Sequence, residues 1–124
     1  MTRGKKPEAA IDKAINFPMR MGYWWQENTN PELAYDFFII KPTSAHVVKV
    51  RQTRHRIDPD TMYEDLMSDD MKAVRALPFP KWMPCEIWLR TQHERVWRRL
   101  HINELSVDEI GFRVPDEYTN PHAR

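Results

Sequence analysis

Three charged residues interrupt two apolar stretches of this 124-residue chain. Asp36 leads Asp36-Phe37-Phe38-Ile39-Ile40, and Lys49 and Arg51 close Val47-Val48-Lys49-Val50-Arg51. Residues i and i+2 of a strand project to the same face, so Lys49 and Arg51 share a side and can share a pocket with an acid from a neighbouring strand. A carboxylate beside two cations calls for ion pairing, because a buried charge needs a partner. Asp36 is therefore expected to pair with Lys49 or Arg51. A metal role for Asp36 would need a further ligand, for which Glu8, Glu27, Glu32 and Gln52 are the candidates.

The remaining charge is unevenly spread, although the net charge is only +1. Residues 46–56 (HVVKVRQTRHR) contain four Lys or Arg, two His and no acid, and residues 90–101 (RTQHERVWRRLH) contain four Arg and two His against one Glu. Acids collect instead in residues 58–70 and from Glu104 to Glu117. Cations interleaved with aromatics such as Trp88 and Trp97 suit a nucleic-acid backbone and its bases, which makes Arg54, Arg56, Arg98 and Arg99 the expected contacts. Charged edge strands and core tryptophans account for the same residues without any ligand.

Other chemistries find less material. Cys85 is the only cysteine, so no internal disulfide, CxxC motif or zinc knuckle can be built. His46, His55, His93, His101 and His122 are scattered, with no helical pair beside an acid as in zinc hydrolases. Three glycines form no phosphate loop, and no serine-nucleophile motif is visible. No apolar run approaches the length of a membrane span, and Met1-Thr2-Arg3-Gly4-Lys5-Lys6 leads into no signal-peptide core, so the expected compartment is the cytoplasm.

The elements that must position these residues follow from periodicity and punctuation. Pro7-Glu8 suits a helix start, with Ala10, Ile11, Ala14 and Ile15 on one face and Pro18 kinking or ending the helix. Tyr23-Trp24-Trp25 suits a short strand. Asp36–Ile40 and Val47–Arg51 form a hairpin around Pro42-Thr43-Ser44. Asp58-Pro59-Asp60 opens a second helix that runs to Pro78 with Met62, Leu66, Met71, Val74 and Leu77 as its stripe. Glu86–Arg90 and Val96–Ile102 form a second hairpin. The expectation is one α/β domain with a central mixed sheet flanked by helices, its core at about residues 7–110, a basic tail at 1–6 and a polar tail at 115–124.

This order, with the two quoted stretches, resembles the PD-(D/E)XK nuclease superfamily, nearest its archaeal Holliday junction resolvase-like and VRR-NUC-like branches. The resemblance covers roughly residues 7–103. It implies a restriction-endonuclease-like core in which Asp36 stands at the metal-binding Asp and Lys49-Val50-Arg51 stands at Glu-x-Lys. It also aligns "CEIWLRTQHERVWRRLHI" with a late hairpin, and Glu8 with an additional acid on the first helix. In active members the two acids hold Mg²⁺ or Mn²⁺, which activates water and stabilises the phosphate, while the lysine positions the nucleophile. Here a cation replaces the second acid and an arginine replaces the lysine. At about 4 Å and an effective dielectric near 20, one unit-charge pair amounts to about 4 kcal/mol, enough to invert the pocket's preference from cation to anion.

The resemblance thus implies a catalytically degraded nuclease fold, with Asp36, Lys49 and Arg51 at the former catalytic positions. The resemblance further implies binding to nucleic acid or a partner, no required cofactor, and pairing as a homodimer. One alternative is an active Mg²⁺- or Mn²⁺-dependent DNA endonuclease using Asp36 with Glu8, Glu27 or an acid of a second chain. Another is a structural interaction protein presenting Trp24, Trp25 or Trp82.

Overall fold

The computed structural model describes residues 7–115 apart from His93 and Arg95, with backbone alone for Arg20 and residues 111–115. Its elements are α1 (Glu8–Met21), β1 (Trp24–Glu27), β2 (Phe37–Lys41), β3 (Ser44–Thr53), α2 (Tyr63–Leu66), α3 (Ser68–Arg75), β4 (Cys85–Thr91), β5 (Val96–Ile102) and β6 (Val107–Pro115). The expected tails at 1–6 and beyond Pro115 lie outside the described residues.

The six strands form one mixed sheet in sequence order, β1-β2-β3-β4-β5-β6. Every neighbouring pair is antiparallel except β3 and β4, which run parallel from Val47↔Cys85 to Thr53↔Thr91. Parallel neighbours require a crossover, and α2, α3 and the proline-rich connector supply it.

Alternation along the strands builds a core on each face. Ala10, Ile11, Ala14 and Ile15 of α1 pack against Phe37, Ile39, Val48, Val50, Trp88 and Trp97. On the opposite face, Met67, Met71 and Val74 pack against Ile87, Leu89, Leu100 and Ile102. Ile87 and Trp88 thus belong to different cores, as a period of two demands. Phe38 is half-buried, in ring contact with Tyr35 and Phe79 at 4.7 and 5.5 Å.

Local chemistry explains where the elements end. Pro18 lies inside α1 and does not end it. The helix runs on to Met21 and stops at Gly22, whose φ of 77° is open to glycine at little cost. There Tyr23 N–H donates to Pro18 O at 2.9 Å, closing a Schellman-type cap.

The second helix starts later than its acidic leader suggested. Asp58 accepts Asp60 N–H at 2.9 Å, and that side-chain turn occupies the would-be first turn. Helical structure begins at Tyr63, and Met67, at φ −129° and ψ 41°, divides it into α2 and α3. Val107–Pro115 is a strand paired with β5, an element that the acidic composition beyond Glu104 did not mark. Its Asp108 and Glu109 are suited to a sheet edge, where charge discourages pairing with another chain.

Candidate functional site

Asp36 stands one residue before β2 and is buried at 2 % exposure. Its carboxylate accepts Val50 N–H at 2.6 Å, while its own N–H donates to Val48 O at 2.8 Å. A side-chain acceptor therefore extends the ladder beyond the first residue of the strand. This explains locally why an acid leads an apolar strand, since a buried N–H without an acceptor is costly.

Lys49 and Arg51 alternate with Val48 and Val50, which lie in the α1 core, and they project toward α3. There both meet Asp70, at 3.5 Å from Lys49 Nζ and 3.2 Å from Arg51 Nε. The Arg51 approach is an ion pair and lacks the angle of a directed hydrogen bond. Nothing local in the sequence singles out Asp70. It falls in the acidic segment that follows the basic one, and only the crossover shows that the two segments meet. Glu8 opens α1, in the layer on the other side of the sheet from α3. Gln52 accepts from Arg90 at 3.2 Å. Among the described residues, no group of three or more His, Cys, Asp or Glu is arranged to hold a metal ion.

The four arginines expected on a nucleic-acid face separate into three environments. Arg54 and Arg56 are exposed beyond the end of β3, with Arg54 Nε donating to Gln92 at 3.3 Å. Arg98 must be withdrawn from the set. It is buried at 2 % exposure, with Nη1 donating to Thr91 Oγ1 at 2.6 Å and Nη2 lying 3.7 Å from Glu94. Arg99, its neighbour along β5, turns to the opposite face, where its side chain, 36 % exposed, pairs with Glu86. The tryptophans also divide. Trp24 and Trp82 are largely exposed, Trp25 is partly buried against the α1 core, and Trp88 and Trp97 are core.

Glu86 gathers a buried side-chain cluster on the α1 side of the sheet. The residue is 1 % exposed, and its Oε2 lies 2.7 Å from His46 Nδ1. Its Oε1 accepts from Trp88 Nε1 at 3.0 Å and from the Arg99 guanidinium at 2.9 Å. Burial alone would raise this carboxyl's pKa. The hydrogen bonds from His46 and Arg99, the Arg99 charge and the Trp88 bond outweigh it and bring the value to about 2. Glu86 opens the segment "EIWLR", where alternation could have revealed the Glu86–Trp88 pair. The partners from β3 and β5 depend on register and carry no local signal.

No protein-family model matches the chain, and no curated protein sequence matches it.

Proposed function

We propose that the chain is a nucleic-acid-binding module on a restriction-endonuclease-like core, with an ion-pair cluster where active relatives would hold a metal. The observation that carries this reading is Lys49 and Arg51 together on one face of β3, both in ion-pair contact with the Asp70 carboxylate. The strand-leading position of Asp36 and the order helix, strand, hairpin, helix, hairpin agree with the resemblance. The residues do not suit a divalent cation, because two positive side chains already claim the acid that α3 supplies. From Arg51, whose side chain is 44 % exposed, the cationic track continues through exposed Arg54 and Arg56. A phosphate backbone is the polyanion that such a track fits.

Fluorescence anisotropy with duplex and branched DNA across a salt series tests the reading. The logarithm of affinity should fall linearly with the logarithm of salt. Arg54→Ala with Arg56→Ala should reduce the slope by about 2, at roughly 0.9 per phosphate contact. Absence of binding at low salt would remove the proposal and favour a protein-interaction role for exposed Trp24 and Trp82.

One observation favours a second reading, an active divalent-metal phosphodiesterase: helix α3 brings an acid, Asp70, beside Lys49. Calorimetry with Mn²⁺ separates the two. The degraded-site reading requires no tight binding by the wild type and a gain in Lys49→Glu with Arg51→Lys. Tight wild-type binding that disappears in Asp36→Ala, together with Mg²⁺-dependent DNA cleavage, would establish the second reading.

A further inference from the structure

We propose that Ser44, His46 and Glu86 form a nucleophile, base and acid relay that makes the Ser44 hydroxyl reactive toward a carboxylic ester. The site lies on the α1 side of the sheet and is independent of the nucleic-acid reading. Ser44 Oγ lies 3.3 Å from His46 Nε2, and His46 Nδ1 lies 2.7 Å from Glu86 Oε2. These are the connections, atom by atom, through which a serine nucleophile is activated, and such a relay is recognised by geometry and roles whatever the order of its members in the chain.

The protonation pattern follows from the partners. An ionised carboxylate only accepts, so the proton of a neutral His46 resides on Nδ1 and is donated to Glu86. Nε2 is then left as an acceptor facing Ser44, whose O–H is the donor available to it. Trp88 and Arg99 both donate to the other Glu86 oxygen, Oε1, and so keep Oε2 turned toward His46. Glu86, buried at 1 % exposure, is a positioning residue in this scheme.

Placement supports reactivity as well as order. Ser44 is the first residue of β3, paired with Lys41 across the Pro42-Thr43 turn, and is only half-buried. Ser44 and His46 are two apart on one strand and therefore share a face, while the parallel register Val48↔Glu86 brings the acid alongside. The nucleophile thus stands at the rim of the sheet and the acid beneath it in the core.

The chemistry balances with water as the second reactant. Ser44 Oγ forms a bond to the ester carbonyl carbon as its proton passes to His46 Nε2. The tetrahedral adduct collapses, the bond to the leaving alcohol breaks, and the alcohol departs with the proton from Nε2. Water then attacks the acyl-Ser44 ester by the same route, releasing a carboxylic acid and restoring both residues.

The test treats the full chain with an alkyl fluorophosphonate, which loses fluoride as Ser44 Oγ bonds to phosphorus, and locates the adduct by peptide mass spectrometry. The expected result is one adduct, on Ser44, with none in Ser44→Ala and labelling slowed about 100-fold or more in His46→Gln. Hydrolysis of p-nitrophenyl butyrate should decline in parallel. Glu86→Gln should slow labelling in a protein that still melts cooperatively. Should that variant fail to fold, the two rim variants decide. No adduct on the wild type, or an adduct whose rate is indifferent to His46→Gln, would reduce the cluster to a clamp between β3 and β4 and overturn the proposal.

Discussion

Two carboxylates, one on each side of the sheet, each gather two basic side chains, and their surroundings make them physically different objects. Asp70 lies on the α3 side with its side chain 21 % exposed, and its partners approach at 3.5 and 3.2 Å. Glu86 lies on the α1 side at 1 % exposure, with contacts of 2.7 to 3.0 Å from His46, Arg99 and Trp88. Solvent reaches the Arg51 pair, whose cation is 44 % exposed, and leaves Arg51 able to exchange Asp70 for a phosphate, whereas Lys49 is buried. The Glu86 cluster is desolvated, so every donor must stay in place. Burial, more than charge count, separates a surface that can bind from a cluster that holds its geometry.

The largest effect is expected from Glu86→Ala. Removing the acid leaves Arg99, His46 and the Trp88 N–H without their acceptor, and the expected loss is about 3 to 5 kcal/mol in urea unfolding. A loss below about 1 kcal/mol would show that the two clusters are energetically alike. The pH dependence gives a second check. The folded carboxyl, at about 2, lies below its ordinary value of 4.5, so its stabilisation is fully present above the ordinary range and disappears as pH falls through about 2. The difference corresponds to about 3 kcal/mol. The stability of Glu86→Gln, measured over the same acid range, should therefore fall less steeply than that of the wild type.

The two clusters were also unequally legible in the sequence. Patterns that repeat within one element were readable: the α1 stripe, both hairpins, and Lys49 and Arg51 on one face of β3. Features that depend on how distant elements meet were not. Asp70 reaches Lys49 only through the β3–β4 crossover, and Glu86 collects donors from three strands. The adjacent Arg98 and Arg99 read as one basic patch, yet a strand sends neighbouring side chains to opposite faces, one into a buried contact with Thr91 and the other onto Glu86. Strand β6 was obscured because its edge position tolerates acids such as Asp108 and Glu109, which mask the alternation of a strand.

Asp36 lies between the two extremes, since it is buried at 2 % exposure and its carboxylate completes a backbone ladder. Asp36→Ala leaves the Val50 N–H without this acceptor and is expected to cost about 2 kcal/mol. Asp36→Asn keeps an oxygen in place and should recover most of that loss. Equal losses in the two variants, measured by chemical denaturation, would show that the charge and not the acceptor matters here.

The smallest stability change, and the most informative about function, is expected from Asp70→Asn. The Arg51 pair, with the Arg51 side chain 44 % exposed, contributes little after screening and side-chain ordering, and Asn keeps an oxygen toward the buried Lys49, so the loss should stay at about 1 kcal/mol. DNA binding should respond in the opposite direction. Asp70 holds the Arg51 guanidinium at 3.2 Å and stands as a negative charge beside the track that continues to Arg54 and Arg56. Neutralising it frees Arg51 for a phosphate, so affinity at low salt should rise and the salt slope should steepen by roughly 1, the increment for one added phosphate contact. Arg51→Ala in the Asp70→Asn background should cancel that gain. If the slope does not change with Asp70→Asn, the α3-side cluster takes no part in binding, and the contrast with the Glu86 cluster becomes one of stability alone.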